Sequence, residues 1–173
     1  MGTTDLPVTV KRVESSAECK SIAKFLLLLP SFGTTSKRDS QGVIKQAHVG
    51  KVRGKNPLKG EARAARLACS VATCFAGSPI CIEGDCLELV NQVQSQIVTP
   101  DWEVAGEVET IRSLLEANTS WSFSWTPREG NYAAHFLAQW CISSDLSGCI
   151  SLDHLPNSVT DCDARSVEPG FVM

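Results

Sequence analysis

The stretch Trp121-Ser122-Phe123-Ser124-Trp125 alternates aromatic and hydroxyl side chains without a break and stops before Pro127, so it reads as a strand with one apolar face. Helical periodicity stands on both sides of it. Upstream, Val104, Val108, Ile111 and Leu115 fall on one stripe over residues 103–117; downstream, Ala134, Leu137, Ala138 and Cys141 do the same in a helix beginning at Asn131. A half-buried strand between two amphipathic helices needs a sheet for those helices to pack on, which places the chain in the α/β class. Its 173 residues, 43% of them hydrophobic, can fill one core and exclude two large domains.

The same change of period occurs earlier. Residues 59–76 are expected to be a helix, with Ala64, Ala68, Val71, Ala72 and Phe75 at helical spacing and Gly77-Ser78-Pro79 as the stop. Ile80-Cys81-Ile82-Glu83 reads as a short strand running into Asp85, which is expected to cap a helix carrying Leu89, Val90 and Val93. Before these, Arg38-Asp39-Ser40-Gln41-Gly42 reads as a turn and residues 43–52 as an extended segment closed by Gly54, Asn56 and Pro57. Residues 13–29 show a weak helical pattern, and Pro30 opens a loop-like stretch. After residue 142 the periodicity fades. The expected organisation is an unassigned N-terminal extension (1–36), a domain (37–142) with an antiparallel N-terminal meander and flanking helices, and a C-terminal tail (143–173). Ligand chemistry in such sheets lies beyond the carboxyl ends of the strands.

The longest apolar run, Phe25-Leu26-Leu27-Leu28-Leu29, ends at Pro30 and falls well short of the roughly 18 residues that read as a membrane span. Lys20 and Lys24 interrupt any secretory signal, so no membrane association and an intracellular, reducing compartment are expected, with nucleus and cytoplasm both open. The eight cysteines form no C-x-x-C pair, and the five-residue spacings Cys69/Cys74 and Cys81/Cys86 do not suit a shared zinc ion. Buried thiols acting as small hydrophobes are expected at Cys69, Cys74, Cys81, Cys86, Cys141 and Cys149. The net charge of −3 conceals a division: residues 1–66 hold 13 Lys/Arg against 5 Asp/Glu, and residues 67–173 hold 3 against 14. That asymmetry admits a polyanionic partner, or two halves that neutralise each other in the fold.

Glu61 lies about 20° to 60° around a 3.6-residue helix from Ala64, Ala65, Ala68 and Ala72, so its carboxylate belongs with an inward stripe. A solvated first-turn glutamate favoured by the helix dipole is the alternative. Asp85 stands where a strand ends, a place for functional side chains, although with Glu88 it also has capping-box spacing. His135 falls in the first turns of the last helix, where the dipole keeps imidazole neutral; a solvent-facing histidine would look the same. Arg128, Glu129 and Asn131 could meet phosphate or sugar oxygens or serve as turn and cap residues. The face of Trp121, Phe123 and Trp125 is expected to be core rather than a base-stacking platform.

Four pieces, in order over residues 37–142, resemble the plant ribonuclease H-like domains related to the ribonuclease H of non-LTR retrotransposon polyproteins. Arg38-Asp39-Ser40-Gln41-Gly42 resembles that family's hairpin turn, and Gly60-Glu61-Ala62-Arg63-Ala64 its first-helix acidic motif. Ile82-Glu83-Gly84-Asp85-Cys86-Leu87-Glu88-Leu89-Val90 resembles its strand-to-helix acidic motif, and the segment from Trp125-Thr126-Pro127-Arg128-Glu129-Gly130-Asn131 through His135 to Ala138 its last strand and helix. The resemblance implies a ribonuclease H-like mixed sheet and metal-dependent hydrolysis of the RNA strand of an RNA–DNA hybrid. The implied catalytic and metal-ligating set is Glu61, Asp85 and His135 around two Mg²⁺ (or Mn²⁺) ions, with Arg128 and Asn131 contacting nucleic acid. The family's first strand also carries an aspartate, whereas residues 20–37 of this chain contain no acidic residue. The resemblance therefore implies an incomplete two-metal site and impaired catalysis, and leaves open whether the first strand is present. A noncatalytic nucleic-acid-binding domain and a protein-interaction module on the same fold are the alternatives.

Overall fold

A computed structural model describes residues 21–27, 32–39, 44–51, 56–75, 77–144 and 147–159. Among the described residues, six strands form one mixed sheet: β1 (Ser21–Leu27), β2 (Phe32–Asp39), β3 (Ile44–Lys51), β4 (Ile80–Gly84), β5 (Trp121–Trp125) and β6 (Gly148–Ile150), in the order β5-β4-β1-β2-β3-β6. β1, β2 and β3 are the antiparallel meander; β4 runs parallel to β1, and β5 parallel to β4.

β1 settles one open point and corrects one expectation. The first strand is present, and the stretch assigned a weak helical pattern is extended over Ser21–Leu27. Its run of apolar residues lacks the alternation that marks a half-buried strand because β1 is central, paired with β2 on one side and β4 on the other and packed by helices on both faces. The sheet thus reaches upstream of Lys37, the expected domain boundary, and β6 takes in residues beyond 142, pairing with β3 through Ala47↔Ile150 and His48↔Cys149. The expected turn at residues 38–42 begins later, since Arg38 and Asp39 belong to β2; residues 40–43 lie outside the described residues.

Among the described residues, four longer α-helices pack on the sheet: α1 (Pro57–Ala72), α2 (Leu87–Gln94), α3 (Ala105–Ala117) and α4 (Tyr132–Ser143). Asn56 caps α1 by accepting from the Lys59 N–H at 3.4 Å, and Pro57 fits the first turn because no helical N–H is lost there. The α1 face on the sheet is built from Ala62, Ala65, Ala68, Cys69 and Ala72, and such small side chains let the helix lie close to β1 and β2. With Ile80, Ile82, Val108, Ile111, Trp121 and Phe123 they form the larger core. α4 covers the opposite face, where Leu137 and Cys141 meet Ile44, Ala47, Val49 and Ile150. Of the six cysteines expected to be buried, Cys69 and Cys141 are; Cys81 and Cys86 are partly exposed, and Cys74 and Cys149 are exposed because they fall past a helix end and on an edge strand.

The charge division is partly resolved inside the fold. Glu107 of α3 pairs with both Arg63, at 3.5 Å, and Arg66 of α1, so the basic half and the acidic half meet at a helix–helix contact. Arg112 of α3 donates to the carbonyls of Gln92 (2.7 Å), Val93 (3.4 Å) and Ser95, capping the open end of α2 from a neighbouring helix. Arg112→Ala should therefore cost about 1 to 2 kcal/mol in a urea titration, and Arg112→Lys should recover little because an ammonium cannot fork across three carbonyls.

Candidate functional site

The site lies where β4 and β5 end together. Gly84 pairs with Trp125, and the Thr126 N–H donates to the Gly84 carbonyl at 2.9 Å, so the two parallel strands release their chains at one level. Asp85 follows β4 directly. From the end of β5 the chain passes Pro127 into a 3₁₀ turn, Arg128–Asn131, and then into α4. Glu61 reaches the same place from the early turns of α1.

Asp85 is not the cap of α2. That position is Cys86, whose side chain makes no capping hydrogen bond. The Asp85 carboxylate instead accepts from the buried Asn131 side chain and from its own backbone N–H. Burial raises the Asp85 carboxyl above the usual range, against the pull of these donors, of Arg128 and of His135. Glu61 is pushed up to about 9, first by burial and then by the negative charge of Asp85, with Arg128 acting in the opposite sense. Two carboxyls held this way do not both ionise at neutral pH, and the proton resides on Glu61. Burial and Arg128 hold the His135 imidazole below its usual range while Asp85 pulls it up, so it is neutral at pH 7.

Glu61 and the Arg128–His135 segment, both remote from Asp85 in sequence, thus meet it at one place. Glu61 faces Asp85; Arg128 acts on Glu61, Asp85 and His135; Asn131 bonds Asp85. The side chain of Glu129 lies outside the described residues. The aromatic stripe divides: Trp121 and Phe123 are core at 7% and 6% exposure, but Trp125 is 47% exposed. It occupies the last strand position, where helix cover runs out, and the adjoining Thr126-Pro127 is the signal in the sequence that the strand ends there.

The donor set does not fit two Mg²⁺ ions. β1 reads Ser-Ile-Ala-Lys-Phe-Leu-Leu and supplies no carboxylate beside Asp85. His135 offers an imidazole where Mg²⁺ wants oxygen, and Arg128 places a fixed positive charge in the same field. Among the described residues no group of three or more His, Cys, Asp or Glu side chains is placed to hold a metal ion, and no helix is long and apolar enough to cross a membrane. What the cluster offers is a cation, an amide and two hydrogen-bonding carboxyls at one end of the sheet.

Solved structures share this fold. The chain is similar to RNase H1 from the halophilic archaeon Halobacterium salinarum NRC-1, with 20% identity and a TM-score of 0.60 over 72% of this chain and 96% of that one. It is likewise similar to LC11-RNase H1, isolated from compost by a metagenomic approach, with 16% identity and a TM-score of 0.64 over 75% and 99% of the two chains. A structure of LC11-RNase H1 in complex with an RNA/DNA hybrid matches at 16% identity and a TM-score of 0.63, over 74% and 100%. At these identities the likeness is one of fold, and it establishes the ribonuclease H-like mixed α/β architecture. No curated protein matches the sequence. Residues 37–141, more than half of the chain, match the model of the family described as Reverse transcriptase-like, and the chain belongs to that family.

Proposed function

We propose that this chain is a nucleic-acid-binding domain of ribonuclease H type that takes an RNA–DNA hybrid across the Asp85 end of its sheet and has largely lost the ability to cut the RNA strand. The observation that carries the reading is the convergence of Glu61, Asp85, Arg128, Asn131 and His135 beyond the carboxyl ends of the parallel strands, on a central strand without an acidic residue. Arg128, exposed at the rim, supplies the charge for a phosphate, and Asn131 positions Asp85. Mg²⁺ or Mn²⁺ hydrolysis is the ancestral chemistry in this reading, and the missing carboxylate is the reason for its decline. Descent from the ribonuclease H of plant non-LTR retrotransposon polyproteins fits the four ordered motifs. The six described cysteines, all free, fit an intracellular setting.

The test pairs binding with cleavage. A fluorescent RNA–DNA hybrid should bind with an affinity that falls as salt rises, while a labelled RNA strand in Mg²⁺ or Mn²⁺ stays intact at or near the background rate. Robust cleavage abolished by Asp85→Asn would show a working nuclease and refute the loss. Absence of binding to hybrid, single strands and duplex at low salt would leave the fold as a protein-interaction module.

A further inference from the structure

We propose that Trp125 is a stacking platform on which one base of the bound nucleic acid rests beside Asp85. The inference rests on the nucleic-acid-binding reading above and adds the residue that positions the strand. Strand alternation puts Trp121, Phe123 and Trp125 on one face, yet only the first two are covered; Trp125 is 47% exposed. Its indole is not loose. The Nε1–H donates to the Asp85 carbonyl at 3.2 Å, which fixes the ring against the turn between β4 and α2. With its single donor used, the ring offers a partner a π face and apolar edge and nothing else. Leu87, the first residue of α2 and two residues after Asp85, is also half exposed at 50%, so the β4–α2 turn itself presents apolar surface. Arg128, three residues after Trp125 and acting on Asp85, supplies the cation for an adjoining phosphate. A pinned aromatic face, a guanidinium and a hydrogen-bonding carboxyl at the shared end of β4 and β5 suit a nucleotide unit: base on the ring, phosphate on the arginine. A fixed ring also loses little freedom when the base arrives.

Fluorescence anisotropy on a labelled RNA–DNA hybrid and on the matching single-stranded RNA, over a range of salt, tests this. Trp125→Ala and Trp125→Leu should both weaken binding roughly tenfold, the loss of about one stacked base, and Trp125→Phe should retain most of the affinity. The slope of log Kd against log salt should not change in these variants, because stacking releases no counterions, whereas Arg128→Ala should lower it by about one. Trp102→Ala, in the segment between α2 and α3 and 84% exposed, should bind as the wild type does. A 2-aminopurine moved along the strand should be quenched at one position by the wild type and at none by Trp125→Leu. Wild-type affinity in Trp125→Leu, equal losses in the Trp125 and Trp102 variants, or no quenching at any position would overturn the stacking role while hybrid binding stands. Absence of wild-type binding would remove the functional reading and this inference together.

Discussion

Replacing Arg38 with alanine should cost the fold about 3 to 5 kcal/mol, a large share of the roughly 5 to 15 kcal/mol that a domain of this kind has in hand. Arg38 is 4% exposed in β2, on the sheet face that α4 covers. Its charge is supported by Glu83 of β4, across the intervening strand: Ile22 pairs with both Arg38 and Cys81, and Lys24 with Glu83, so the two charges lie on one face about two strand spacings apart. Burial lowers the guanidinium to about 10 while Glu83 holds it up, so it stays charged at neutral pH. Its removal leaves Glu83 partly buried without that cation, and the cost of an uncompensated charge exceeds what the pair itself contributes. Arg38→Lys should lose less, though more than 1 kcal/mol, since the planar fork is gone. In Arg38→Met combined with Glu83→Gln, much of the single-variant loss should return, and a double-mutant cycle by urea unfolding measures that return. A cost below about 1 kcal/mol for Arg38→Ala would mean that water reaches Glu83 freely.

Glu61→Gln should act in the opposite direction and stabilise the protein. Burial and the charge of Asp85 push the Glu61 carboxyl up to about 9 in the fold from its ordinary 4.5, so between those values the folded chain holds a proton that the unfolded chain has released. Its contribution is fully present below about pH 4.5 and is lost as pH rises toward 9. At pH 7.5 the neutral amide escapes that loss, a gain of about 2 to 3 kcal/mol after allowance for its partial exposure, or roughly 5 to 10 °C in Tm. At pH 4 the two proteins should melt together. A wild type as stable as Glu61→Gln at pH 7.5 would place the carboxyl in water, out of the field of Asp85.

What the sequence disclosed depended on how local the determining interaction is. α1, α3, α4 and β5 carry their own periodicity, and each lies within a few residues of its expected place. Glu61 was legible because helix geometry alone sets it beside the alanine stripe. β1 was not: a strand packed on both faces shows no alternation, and its status follows from β4, which joins it only in the finished sheet. Arg38 looked like part of a turn because Asp39-Ser40-Gln41-Gly42 follows it, and its supporting charge is remote in sequence. Asp85 resembled a cap until Asn131 arrived from the far end of the domain to claim its carboxylate. Trp125 followed the alternation faithfully; what the pattern could not show was where α2 and α3 stop shielding the sheet.

The central place of β1 bears on how the chain is born. Its antiparallel partner β2 leaves the ribosome almost at once, but the parallel partner β4 is not made until the meander and all of α1 have been synthesised. At about 5 to 20 residues per second, one edge of β1 stays open for several seconds of translation. The nascent meander therefore carries an unsatisfied backbone rim that a second nascent chain could pair with, and its safe passage depends on how quickly α1 folds over it or a chaperone shields it.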